Sequence, residues 1–182
     1  MPFTPFHLGF ALIVLGLLPF LDPIALVLGT VLIDLEGLFF ILFNIGQLHG
    51  SLHSLLGVFA LFFPISTISY ITNRHVNVAK FYRFNWGKAI FSSILGLVSH
   101  LFFDAIIYPE MRVLYPFSNK AGFLYNIWSS SVDHLILSIF GLLGVILIIC
   151  RVCINKVKSN RNAKSKLLNN QKLSEVVTND KL

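Results

Sequence analysis

Apolar runs close to the length that crosses a bilayer recur along this chain, and no other feature limits its fold so strongly. A hydrocarbon core takes about 20 apolar residues as a helix. Lipid offers the backbone no water, so each run has to satisfy its own hydrogen bonds as a helix or within a closed barrel. With 55% hydrophobic residues, 12% charged residues and 18 Phe among 182, the chain is too apolar for an ordinary soluble domain. The runs are also too many for a cleaved leader followed by a soluble body. The expected fold class is all-α, a polytopic membrane protein of about five transmembrane helices with a polar site near one membrane face.

The punctuation of the runs places the helices. Asp22-Pro23 closes a short first segment and opens the second, and Tyr108-Pro109 ends the fourth. Helices are expected over about residues 7–20, 23–45, 50–71, 86–107 and 132–154, the first being short for a span. Residues 1–154 form one integral membrane domain in this reading. Residues 155–182 form a polar, Lys- and Asn-rich tail expected to be disordered. Cys150 and Cys153 are a lone CxxC at the end of the last apolar run, expected to face lipid or the interface.

The formal net charge is +6, yet it does not point to nucleic acid. Four Lys and Arg fall in the loop between the third and fourth helices, eight from Arg151 onward, and two between the fourth and fifth helices. That bias reads as a topology signal, with the basic loop and the C-terminus in the cytoplasm of an inner (cytoplasmic) membrane protein. Tracing the five helices from there brings His7, His49, His53, His100, Asp104, Asp133 and His134 to the outer side.

Ionisable side chains inside apolar segments are costly, about 2.5–3.5 kcal/mol each at a helix centre, and so are candidates for function. His49 and His53, four apart, are expected on one helix face, as are His100 and Asp104. Asp34 and Glu36 are two apart and diverge by about 200° on a regular helix. They can share a site only if the second helix is broken between Gly29 and Gly37. A lone histidine on an apolar helix is ordinarily a satisfied core group, so the weight lies in the set. His7, Asp34, His49, His53, His100 and Asp104 supply the nitrogen and oxygen donors of a divalent metal, zinc first, with manganese or iron as alternatives. Asp133 and His134 stand behind them, and Glu36 is the expected proton-transfer group. His75, in the basic loop, reads as an ordinary solvated residue.

Pro5-Phe6-His7-Leu8-Gly9, Asp34-Leu35-Glu36, His49 to Ser54, and Ser99-His100-Leu101-Phe102-Phe103-Asp104 followed by Tyr115-Pro116-Phe117 resemble the membrane-bound metal-dependent hydrolases. These are bacterial and archaeal proteins also described as LexA-binding, inner-membrane-associated hydrolases. The resemblance covers about residues 1–120 and implies metal ligands at Asp34, His53, His100 and Asp104. Ile33, Glu36 and Gly37 depart from the family's Pro-Asp-x-Asp-His segment, and one residue fewer separates the two histidines of its His-Arg-Gly-x-Thr-His-Ser stretch. The function expected is hydrolysis by metal-activated water of a lipid-like ester or phosphoester reached through the bilayer, with membrane lipids as the surroundings and no nucleic acid partner. An ion or metal transporter, or a membrane scaffold acting through its basic tail, are the competing readings. Neither the oligomeric state nor the substrate is legible.

Overall fold

A computed structural model describes residues 6–44, 46, 48–75 and 84–179, and of residues 163–179 the backbone alone. Among the described residues the fold is all-helical: α1 (His7–Leu17), α2 (Pro23–Val31), a 3-10 turn (Leu32–Asp34), α3 (Leu35–Phe43), α4 (Leu55–His75), α5 (Trp86–Ile107) and α6 (Ser130–Asn179). Four segments are long and apolar enough to cross a membrane, namely Pro23–Phe43, Leu55–His75, Trp86–Ile107 and Ser130–Asn162. With 11 residues, α1 is about 16 Å long, short of a bilayer core. Large apolar side chains stand exposed along α3, α4 and α6, including Phe39, Phe59, Leu142 and Ile149. This is the surface of a helical membrane protein.

The most buried of the four long helices is α5, and small residues let its neighbours reach it. A Cβ on Gly29 would lie 2.7 Å from the Ser93 carbonyl oxygen, and one on Gly96 would lie 2.6 Å from that of Leu26. The parallel helices α2 and α5 therefore touch backbone to backbone, as membrane helices do when hydrophobic segregation cannot drive their association. The same holds for α1 against α6. There a Cβ on Gly9 would collide with the Leu137 carbonyl, and one on Gly144 with the backbone of Leu12 and Ile13.

One end of this bundle is pinned by Asp22. Fully buried, it caps α2 by accepting from the amides of Ile24 and Ala25, each at 3.0 Å. It also accepts from the Ser69 hydroxyl of α4 at 2.8 Å, and its own amide donates to Ser92 of α5 at 2.9 Å. At the other end meet the N-termini of α1, α4 and α6 and the C-termini of α2 and α5.

Two expectations are altered. The third helix starts at Leu55 and not near residue 50, because residues 48–54 form turns whose amides find partners off the helix axis. The amides of Leu55 and Leu56 donate to the carbonyls of Val113 and Tyr115 at 2.8 and 3.1 Å, so the connection after α5 closes the open end of α4. The last helix begins at Ser130 and its backbone continues to Asn179. No break therefore marks residue 154, and residues 155–179 of the segment expected to be disordered prolong an already nucleated helix, which costs far less than starting one. Most of the basic loop, residues 76–83 with Lys80 and Arg83, lies outside the described residues.

Candidate metal centre

The second helix is interrupted where the spacing of its two acids requires it. The 3-10 turn at Leu32–Asp34 follows Val31, which leaves helical geometry at φ −122°. The tightened turn offsets Asp34 from the helix that resumes at Leu35. Asp34 and Glu36 consequently reach the same group of histidines from different sides.

Asp34, His53, His100 and Asp104 each offer one nitrogen or oxygen, and the four atoms lie within 4.8 Å of one another. His100 Nε2 is 3.2 Å from an oxygen of Asp34 and 3.2 Å from an oxygen of Asp104. His53 Nε2 is 3.7 Å and 3.9 Å from the same two carboxylates. His100 Nε2 is buried yet makes no hydrogen bond to either neighbour, an arrangement of atoms around a common centre more than of a donor facing its acceptor.

The outward nitrogens explain which way the rings face. His100 Nδ1 donates to the Thr30 carbonyl at 2.9 Å, so Nε2 is left as the electron-pair donor of the neutral ring. His53 Nδ1 donates to a Glu36 oxygen at 3.0 Å, with the same result. Metal-binding histidines are held in this way, and the carboxylate behind one of them raises its basicity. Two nitrogens and two oxygens suit zinc, iron or manganese.

Of the remaining expected residues, Glu36 is taken up by the backbone of the 50–52 turn. Its oxygens accept from the amides of Gly50 at 3.1 Å and Leu52 at 3.1 Å as well as from His53. A Cβ on Gly50 would push that carboxylate aside. His7 packs beside the group without joining it: its ring stacks on His100 at 4.1 Å and Nε2 lies 3.1 Å from the outer oxygen of Asp104. Asp133 is buried and accepts from the Trp128 indole at 3.2 Å, while His134 stacks on Phe6. His75 is exposed at the end of α4.

His49 departs furthest from expectation. It shares no helix face with His53, because the turns at residues 48–54 swing it away, and it stands outside the group of four. Its ring lies 3.9 Å from that of Tyr108 and meets His53 edge-on at 5.1 Å. Its Nδ1 donates to Glu110 at 2.9 Å. Burial keeps His49 below the usual imidazole range even though Glu110 pulls the other way. Thr30 and Glu110 were not expected at the site. Thr30 acts through a carbonyl that every residue carries, which leaves no side-chain signal. Glu110 had one, an acid just beyond Tyr108-Pro109 and six residues past Asp104.

A sequence profile matches residues 2–168, most of the chain. The chain belongs to the YdjM inner membrane protein family. The family is a membrane one, in agreement with the four long apolar helices. Neither a curated protein nor a solved structure matches the chain.

Proposed function

We propose that this protein is an integral membrane metal-dependent hydrolase whose ion is held by Asp34, His53, His100 and Asp104, zinc being the first choice. The observation that carries the reading is the convergence of two imidazole Nε2 atoms and two carboxylates, with each ring's Nδ1 already engaged by an acceptor. Such an ion, when bound, supplies activation of water and polarisation of an ester or phosphoryl oxygen.

The remaining work falls to the chain's own residues. Glu36 orients His53 and ties the 50–52 turn to α3, so it is a positioning residue. Proton transfer passes to His49, whose Nδ1–H is held by Glu110 and whose Nε2 is thereby an acceptor. Transport is less well supported. The groups suited to carrying a cation, Asp34, His53, His100 and Asp104, gather at one end of the bundle instead of being spread along its length. The Lys and Arg bias assigns the loop after α4 and the tail to the cytoplasm, which places the metal end at the outer face.

Metal analysis of the purified protein tests the reading. One divalent ion per chain is expected in wild type and in His75→Ala, and its loss in His100→Ala and Asp104→Ala. Equal metal content in the His75 and His100 variants refutes the ligand set.

A further inference from the structure

Beside the metal group a cavity of about 550 Å³ opens between the 48–54 turns and the connection after α5. His49, Ser51, Glu110, Arg112 and Tyr115 are among the residues that line it. It approaches the group through His49, whose ring in the cavity wall meets that of His53 edge-on. Its charges are unevenly used. The Glu110 carboxylate is engaged by His49 at 2.9 Å, whereas the guanidinium of the exposed Arg112 has no hydrogen bond or ion pair with any described residue. A guanidinium with five donors in a planar fork, in a cavity that Ser51 and Tyr115 also line, is suited to holding an oxyanion by two hydrogen bonds.

A second, nearly apolar cavity of about 380 Å³ is bounded by Leu52 of the same turn together with Leu32, Leu35, Phe39, Leu61 and Glu36. Gly50 and Ser51 wall the polar cavity and Leu52 the apolar one. The amides of Gly50 and Leu52 fix this partition by donating to Glu36. Leu35 and Phe39 continue from it onto the exposed face of α3.

We propose that the polar cavity is a phosphate subsite in which Arg112 anchors the anionic head of an amphiphilic substrate whose alkyl chain lies in the apolar groove past Leu52. The inference rests on the hydrolase reading for the word substrate, but the anion site stands without it. His49 borders the head and stands between it and His53 of the metal group, and the tail leaves toward lipid along α3. The bond to be cut therefore belongs near the phosphate and not along the chain.

Calorimetric titration of the full-length protein in dodecyl maltoside tests this, with dodecyl phosphate and inorganic phosphate as probes. Each is run on protein as purified and on chelator-treated protein. Wild type is expected to bind dodecyl phosphate saturably at one site, with Arg112→Gln weaker by about tenfold or more and Arg112→Lys in between, because losing a charge-assisted, bidentate contact removes the main attraction. Stronger binding of dodecyl phosphate than of inorganic phosphate assigns the head to an amphiphile, and equal binding assigns the site to free phosphate compounds and overturns the role of the groove. Chelator-treated His100→Ala is expected to bind as wild type, which separates this site from the metal reading. Binding unchanged in Arg112→Gln, or abolished in chelator-treated His100→Ala, overturns the proposal.

Discussion

Replacing Glu36 by Gln separates positioning from proton transfer, because the carboxylate's contacts show what each role would lose. One oxygen, Oε2, accepts from Gly50, Leu52 and His53 at 3.1, 3.1 and 3.0 Å, and the other takes a longer contact from Leu52 at 3.3 Å. A glutamine oxygen in the Oε2 place keeps all three donors, and its amide nitrogen then displaces the weaker contact. What disappears is the charge. Charge-assisted hydrogen bonds are worth about 1.5–3 kcal/mol against about 0.5–1.5 for neutral ones. A loss of about 1.4 kcal/mol in the support of His53 corresponds to a factor of about ten in metal affinity, at the gentle end of the roughly 10–100-fold typical of such supporting residues. Glu36→Ala also frees the 50–52 turn and should approach a hundredfold. Competition of the purified variants against a zinc indicator of known affinity reads both values. Wild-type zinc affinity in Glu36→Gln and Glu36→Ala, with turnover alone abolished, would refute the positioning role and restore Glu36 as the base.

Two further outcomes follow from the packing and from burial. Gly96→Ala should cost about 1–3 kcal/mol of stability by overpacking, since its Cβ starts 2.6 Å from the Leu26 carbonyl oxygen; it should also weaken zinc binding, because α2 carries the Thr30 carbonyl that holds His100. Thermal unfolding and the same zinc competition check this, and an unchanged Tm would show that the helices part freely there. The fold holds His49 below its ordinary pKa, so the unfolded chain binds more protons at this site and the contribution to stability falls as pH drops through about 6.5. In chelator-treated protein the Tm of wild type should therefore decline relative to His49→Gln between pH 8 and 5. A relative gain on acidification would mean that the Glu110 contact outweighs burial.

Much of the architecture could be read from the chain because the bilayer permits so few solutions. Helix α5 occupies residues 86–107 as its apolar run and Tyr108-Pro109 predict. Asp22-Pro23 is at once a cap and a helix start, a signal held within three residues. The break at Leu32–Asp34 was legible too, since two acids spaced by two cannot serve one buried site from an unbroken helix.

Tertiary structure alone decided which donors meet. His49 and His53 have the spacing of a helical pair, but Glu36, fourteen residues before Gly50, accepts from the amides of Gly50 and Leu52 and holds the segment in a turn. His53 joins the metal group in consequence, and His49 goes to Tyr108 and Glu110. Spacing along a chain reports a shared face only while the local hydrogen bonds stay local. The Thr30 carbonyl behind His100 and the cavity around Arg112 arise from contacts between segments up to 70 residues apart, and these depend on Gly29 and Gly96 letting two helices touch. Composition and periodicity determined that the chain is a helical membrane protein with ionisable groups to satisfy. The assignment of roles among those groups was settled by long-range packing, which no local pattern encodes.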